Sequence, residues 1–257
     1  ALGLALSKNT IADPIEAGIK NISLQSIDSE NLLSLGSLAI IAQDNRQLKN
    51  EATGDSLSIA RNSNDYSNNS GSISVGAADS QNIIDTPVAA IVELSAEQKL
   101  QVKDSIKIEA TSTAQIKAFA LAVTINAAQG GSNTLAFSGG GAGSKNKINA
   151  SIKAEIKAGE IEGNKGAQVK ADSKRTLDAK IGAGSLAIAR GLNNSSTASA
   201  SIGAVIADNT INGATTAQIT TNKLTLAEKV EITSNNSDAI ETTTAAASLA
   251  LSISKKD

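Results

Sequence analysis

The sequence predicts an all-β fold, a parallel β-solenoid (β-helix) made of repeats of about 64 residues with several coils per repeat. Three observations carry this. The motif Asn-x-Ile recurs as Asn9-Thr10-Ile11, Asn82-Ile83-Ile84, Asn146-Lys147-Ile148 and Asn209-Thr210-Ile211, at spacings of 73, 64 and 63 residues. The only two prolines, Pro14 and Pro87, each lie five residues past such an asparagine. Apolar residues alternate with period two, which suits a half-buried strand and not a helix. The 257 residues include two Phe, one Tyr and no Trp, Met, Cys or His. A core of Ala, Ile, Leu and Val without aromatic bulk suits narrow layers in which two backbone sheets lie close together.

Along the chain, Leu2-Gly3-Leu4-Ala5-Leu6-Ser7 alternates large and small residues and reads as a strand. Gly36-Ser37-Leu38-Ala39-Ile40 returns as Gly184-Ser185-Leu186-Ala187-Ile188, with looser copies at Phe119-Ala120-Leu121-Ala122-Val123 and Ala247-Ser248-Leu249-Ala250-Leu251. Aligned on leucine these fall at Leu38, Leu121, Leu186 and Leu249. The bulky face of each is expected to be the core and the Ala/Ser/Gly face to be solvated; the alternative is that this flat small-residue face lets another sheet or chain approach closely. Residues 61–71 are Asn/Ser-rich and aperiodic, a polar surface loop inserted into an early copy, with Asp65 and Tyr66 as candidate ligand contacts. Ile106–Ala110 and Ile152–Ala158 alternate apolar and charged residues. Ile152, Ala154, Ile156 and Ala158 are expected to face inward, with Lys153, Glu155 and Lys157 in water. Gly139–Ser144 reads as a turn between repeat strands. Asn9, Asn82, Asn146 and Asn209 are scaffold markers, expected to end strands at corners. Val230-Glu231-Ile232-Thr233 is again a strand. Thr242–Ala247 is the stretch most open to a helical reading, since Ala favours helices. About three and a half repeats of about three coils, each coil of roughly 20 residues, would make a rod of roughly 60 Å.

The chemistry-bearing side chains are sparse. Without His or Cys, the common nucleophilic triads and His- or Cys-based metal sites are excluded. No catalytic residue, metal site or cofactor is expected. Glu160 and Glu162, two apart on one strand face, are the only carboxylate pair worth weighing for a carbohydrate-active enzyme, and they read as surface groups. Asp13, Asp85 and Asp208 lie near the Asn-x-Ile motifs and read as turn formers. The net charge of -2, with mixed signs, gives no stripe for nucleic acid. No segment is long and apolar enough to span a bilayer. The first residue is not Met, so the chain is expected to be a mature or internal piece of a longer one.

From Ser201-Ile202-Gly203-Ala204-Val205 through Asn209-Thr210-Ile211, Ala217-Gln218-Ile219 and Val230-Glu231-Ile232-Thr233-Ser234, the order of segments resembles the Ala/Gly/Ser/Thr-rich repeats of giant bacterial surface exoproteins. Those are the haemagglutinin-like, autotransporter-like and two-partner-secreted β-helix adhesins. The resemblance covers essentially the whole chain. It implies a right-handed β-helix at the cell surface or outside the cell, acting as rod, stalk or filament. Its expected partners are further copies of itself or adjacent repeats. The alternatives are an adhesin that binds surface glycans through loops and, more remotely, a carbohydrate-active β-helix enzyme.

Overall fold

The computed structural model describes residues 1–20, 22, 31–62, 69–131, 133–192 and 196–254. It is all-β with parallel sheets, and no helix occurs among the described residues. Sheet A aligns β1 (Leu2–Ile11), β6 (Ser70–Ile84), β11 (Asn133–Asn149) and β15 (Ser196–Asn212). Sheet B joins β2 (Ile15–Lys20), β7 (Val88–Glu93), β12 (Ile152–Gly163) and β16 (Thr215–Leu226), with β8 (Lys99–Val102) beside the second half of β12 and β3 (Leu32–Leu35) beside β8. Sheet C is β4 (Leu38–Asp44), β9 (Ile106–Ser112), β13 (Ala167–Ser173) and β17 (Val230–Asn236). Sheet D is β5 (Gln47–Arg61), β10 (Gln115–Gly130), β14 (Thr176–Gly191) and β18 (Ala239–Ser254).

Every neighbour in a sheet is one whole repeat away. Asn9 pairs with Asn82, Asn82 with Asn146 and Asn146 with Asn209. Ile15 pairs with Val88, so the two prolines occupy matching positions just before it. The expectation of several coils per repeat is therefore corrected. Among the described residues no strand pairs with one roughly 20 residues distant; each repeat gives strands to four different sheets. A corner sends the chain into a new sheet, as at 12–14 between β1 and β2, and does not close a small circuit. With four strands across, each sheet spans only about 14 Å between its outer strands, not the roughly 60 Å expected. The leucine alignment is corrected too: Leu38 lies in sheet C opposite Ile106, whereas Leu121 lies in sheet D opposite Gly182. Large-small alternation marks any strand on a close-packed layer and carries no positional information.

Sheets B and C pack on each other through Ile, Leu, Val and Ala, including Val88, Val92, Leu100, Ile106, Ile108, Ile152, Ile156 and Val169. The inward set Ile152, Ala154, Ile156 and Ala158 is buried as the alternation predicts. Ala158 and Gly159 are both buried, so the phase shifts by one there and Glu160 and Glu162 point outward.

Sheets A and D also face each other, but their expected polarity is reversed. Ala118, Ala120, Ala122, Ala179 and Ala183 are buried, while Leu57, Ile125, Phe137 and Leu249 are 60%, 42%, 44% and 61% exposed. The physical reason is the gap. A Cβ added to Gly54 would lie 2.0 Å from the Ala77 carbonyl oxygen, and one on Gly3 would lie 1.9 Å from that of Asp55. Where the backbones come that close only glycine fits, and Ala, Ser and Thr line most of the rest of the middle of the two inner faces. Gly139–Gly143 accordingly sits inside β11 and not in a turn. Between the layers run hydroxyl pairs one repeat apart: Ser56 with Ser74, Thr124 with Ser138, and Ser185 with Ser201. We expect Ala122→Leu, on the inner face, to cost about 1–3 kcal/mol by overpacking. Leu135→Ser, on the outer face at 45% exposure, should cost no more than about 1 kcal/mol. Equal losses in denaturant melts would overturn the reversed assignment.

Candidate functional site

The Asn-x-Ile motif is the most informative part of the molecule. Residues two apart on a strand share a face, so Asn and Ile both point inward. Asn82 and Asn146 are 0% and 1% exposed, and Ile84 and Ile148 are buried beside them. The four scaffold markers do not end strands. They lie within β1, β6, β11 and β15 and form a ladder: Asn9 Nδ2 donates to Asn82 Oδ1 (3.2 Å), Asn82 Nδ2 to Asn146 Oδ1 (2.7 Å), and Asn146 Nδ2 to Asn209 Oδ1 (2.7 Å). Asn82 also donates to Ser80 Oγ (3.1 Å) and accepts from Asn50 Nδ2 of sheet D (2.9 Å). Both of its donors and both acceptor directions are used, the full capacity of an amide side chain. The ladder ties repeat to repeat, and Asn50 ties layer to layer.

A second polar device went unread in the sequence. Arg175, between β13 and β14, is 1% exposed. Its Nη1 donates to the carbonyls of Ala150 (2.7 Å) and Asn212 (2.8 Å), at successive A-to-B corners. Its Nη2 meets Asp238 Oδ2 at 2.6 Å. Burial pushes the Asp238 carboxyl up, but hydrogen bonds from Arg175 and Ser173 outweigh it and hold it below the usual carboxylate range. Arg46 does similar work in the first repeat, donating from Nη1 to the Asp13 carbonyl and to Thr86 Oγ1, both at 3.1 Å, beside the buried carboxylate of Asp44. Backbone hydrogen bonds place Arg46, Ala114, Arg175 and Asp238 in one column. One guanidinium serves two consecutive corners, so arginine appears in every second repeat and Ala114 fills the position between. The same corner explains Gly213, at φ 122°, where a Cβ would lie 1.9 Å from the Ala150 oxygen that Arg175 binds.

Asp65 and Tyr66 lie outside the described residues. Of the surrounding 61–71 segment, Arg61 closes β5 and Ser70 and Gly71 open β6. Glu160 and Glu162 do share an outward face, but as members of an ion-pair cluster. Lys99 Nζ lies 2.6 Å from Glu162 and 4.0 Å from Glu160, and Lys223 pairs with Glu160. The hydrogen bond from Lys223 holds the Glu160 carboxyl below its ordinary value, opposite to the shift a general acid uses. Asp13 and Asp85 lie in corners, whereas Asp208 lies within β15 beside Lys145. Among the described residues no three His, Cys, Asp or Glu side chains gather as a metal site.

No family model matches the chain, and no curated protein or solved structure is similar to it.

Proposed function

We propose that the chain is a scaffold stretch of an exported bacterial surface protein, a right-handed parallel β-helix that acts as rod, stalk or filament. In this reading each repeat makes one circuit through sheets A, B, C and D before stacking on the next. The observation that supports it is the repeat-spaced, in-register pairing in all four sheets, threaded by the asparagine ladder. Units that satisfy their hydrogen bonds only on neighbouring units form an array that lengthens by addition. The extracellular setting is supported by the likeness of the repeat order to surface exoproteins.

Electron microscopy of tandem chains with increasing repeat number tests the shape. Rods of constant width, longer by about 4.8 Å per added repeat, are expected. Particles that widen as repeats are added would reject the reading. Antibody labelling of intact source cells tests the location, and labelling only after lysis would reject it.

A further inference from the structure

The outer faces of the four sheets differ in kind. Those of B and C carry ion pairs, Lys153 with Glu155, Lys107 with Glu109, and Lys170 with Asp172. The outer face of D carries a column of large aliphatic side chains through all four strands: Leu57, Ile125, Leu186 and Leu249, each in register with the next. Beside it run Ile59, Ala127, Ile188 and Leu251. Ile125 is 42% exposed although its strand is paired on both sides, so its exposure is not an edge effect. The outer face of A has no such column, because Gly139, Gly141 and Gly143 interrupt it on β11.

We propose that this face of sheet D is a self-association surface, on which a second copy of the chain packs face to face about a two-fold axis running across the strands. Charge sets the orientation. Arg61 and Arg190 stand at one end of the apolar stripe. On the other side Lys49, Lys117 and Lys180 are outnumbered by Glu51, Asp55, Asp178 and Glu241. A two-fold axis across the strands brings the arginine end of one copy onto the mixed end of its partner and avoids arginine against arginine. The stripe and its charged ends measure about 40 by about 19 Å, or about 760 Å² per copy, close to the roughly 800 Å² per partner of a stable interface. The area grows with every repeat, since the column continues. The inference deepens the rod reading: the paired rods run side by side and point the same way.

The test is light scattering and sedimentation of the 257-residue chain over a range of concentrations. A dimer is expected, and Ile125→Glu with Leu186→Glu should weaken it by at least about a hundredfold while leaving the melting temperature unchanged at dilutions where the parent too is monomeric. The chain has no cysteine, and a Cβ on Gly184 would point into open space near the predicted axis. Gly184→Cys should therefore cross-link two copies under mild oxidation, and Gly141→Cys, equally open but on sheet A, should not. This pair keeps the test decisive if the double variant does not fold. A monomer at all concentrations overturns the proposal. So does a dimer indifferent to the glutamates, cross-linking through Gly141→Cys, or a monomer that binds phosphatidylglycerol vesicles. Single rods in the micrographs would sink the pairing and leave the rod standing; paired particles that fail to lengthen with repeat number would do the reverse.

Discussion

Asn82→Asp is expected to lower stability by about 3–5 kcal/mol at neutral pH. The position is fully buried, and the native amide meets four partners, Asn9, Asn50, Ser80 and Asn146. A carboxylate keeps the acceptors and loses both donors. It leaves Asn146 Oδ1 without its hydrogen and sets its own charge against that oxygen, whereas Ser80 Oγ still accepts from Asn50. Burial raises the pKa of the introduced acid above its unfolded value, so folding favours the protonated form. The defect is then fully present above the folded-state pKa and shrinks as pH falls through it, because the protonated acid regains one donor. Thermal melts against pH should show the variant approaching the parent under mildly acid conditions. Asn82→Ala removes the amide without adding charge and should cost about 1–3 kcal/mol with no such recovery. Parent-like melting of Asn82→Asp at pH 7 would mean that the ladder contributes nothing to stability.

Arg175→Met is expected to cost about 3–5 kcal/mol. It strips the guanidinium from the Ala150 and Asn212 carbonyls and leaves the half-buried Asp238 carboxylate without its cation. The partner side has a pH signature. Because the folded-state pKa of Asp238 lies below its unfolded value of about 4, its contribution is complete above that value and is lost as pH falls through the folded pKa. The melting difference between the parent and Asp238→Asn should therefore be largest near neutrality and close as the solution is acidified. A difference constant from pH 7 to pH 2 would detach Asp238 from the staple.

Much of the architecture was legible in the sequence. Asn-x-Ile and the proline offset gave a register that the sheets follow residue for residue. Ile152–Ala158 gave the correct inward face, because apolar against charged is an unambiguous contrast. The large-small strands of sheets A and D misled, since both faces are apolar and only the distance to the opposite sheet says which one is buried; in sheet C the bulky Leu38 and Ile40 do face inward. Arg175 was invisible because its partners lie at a remote corner and in the next repeat, 25 and 63 residues away. The asparagines were visible as markers but not as a ladder. That distinction depends on their falling within strands, where turn-forming residues are usually absent.

The sequence alone determined strand type, repeat length and the alignment of one repeat on the next, because these follow from local periodicity and from the recurrence of a motif. The tertiary structure decided how many sheets one repeat feeds, which face of each A and D strand is inside, and where the buried charges find partners. Those depend on the gap between layers and on groups brought together across corners, and neither distance is written in the order of residues along one strand.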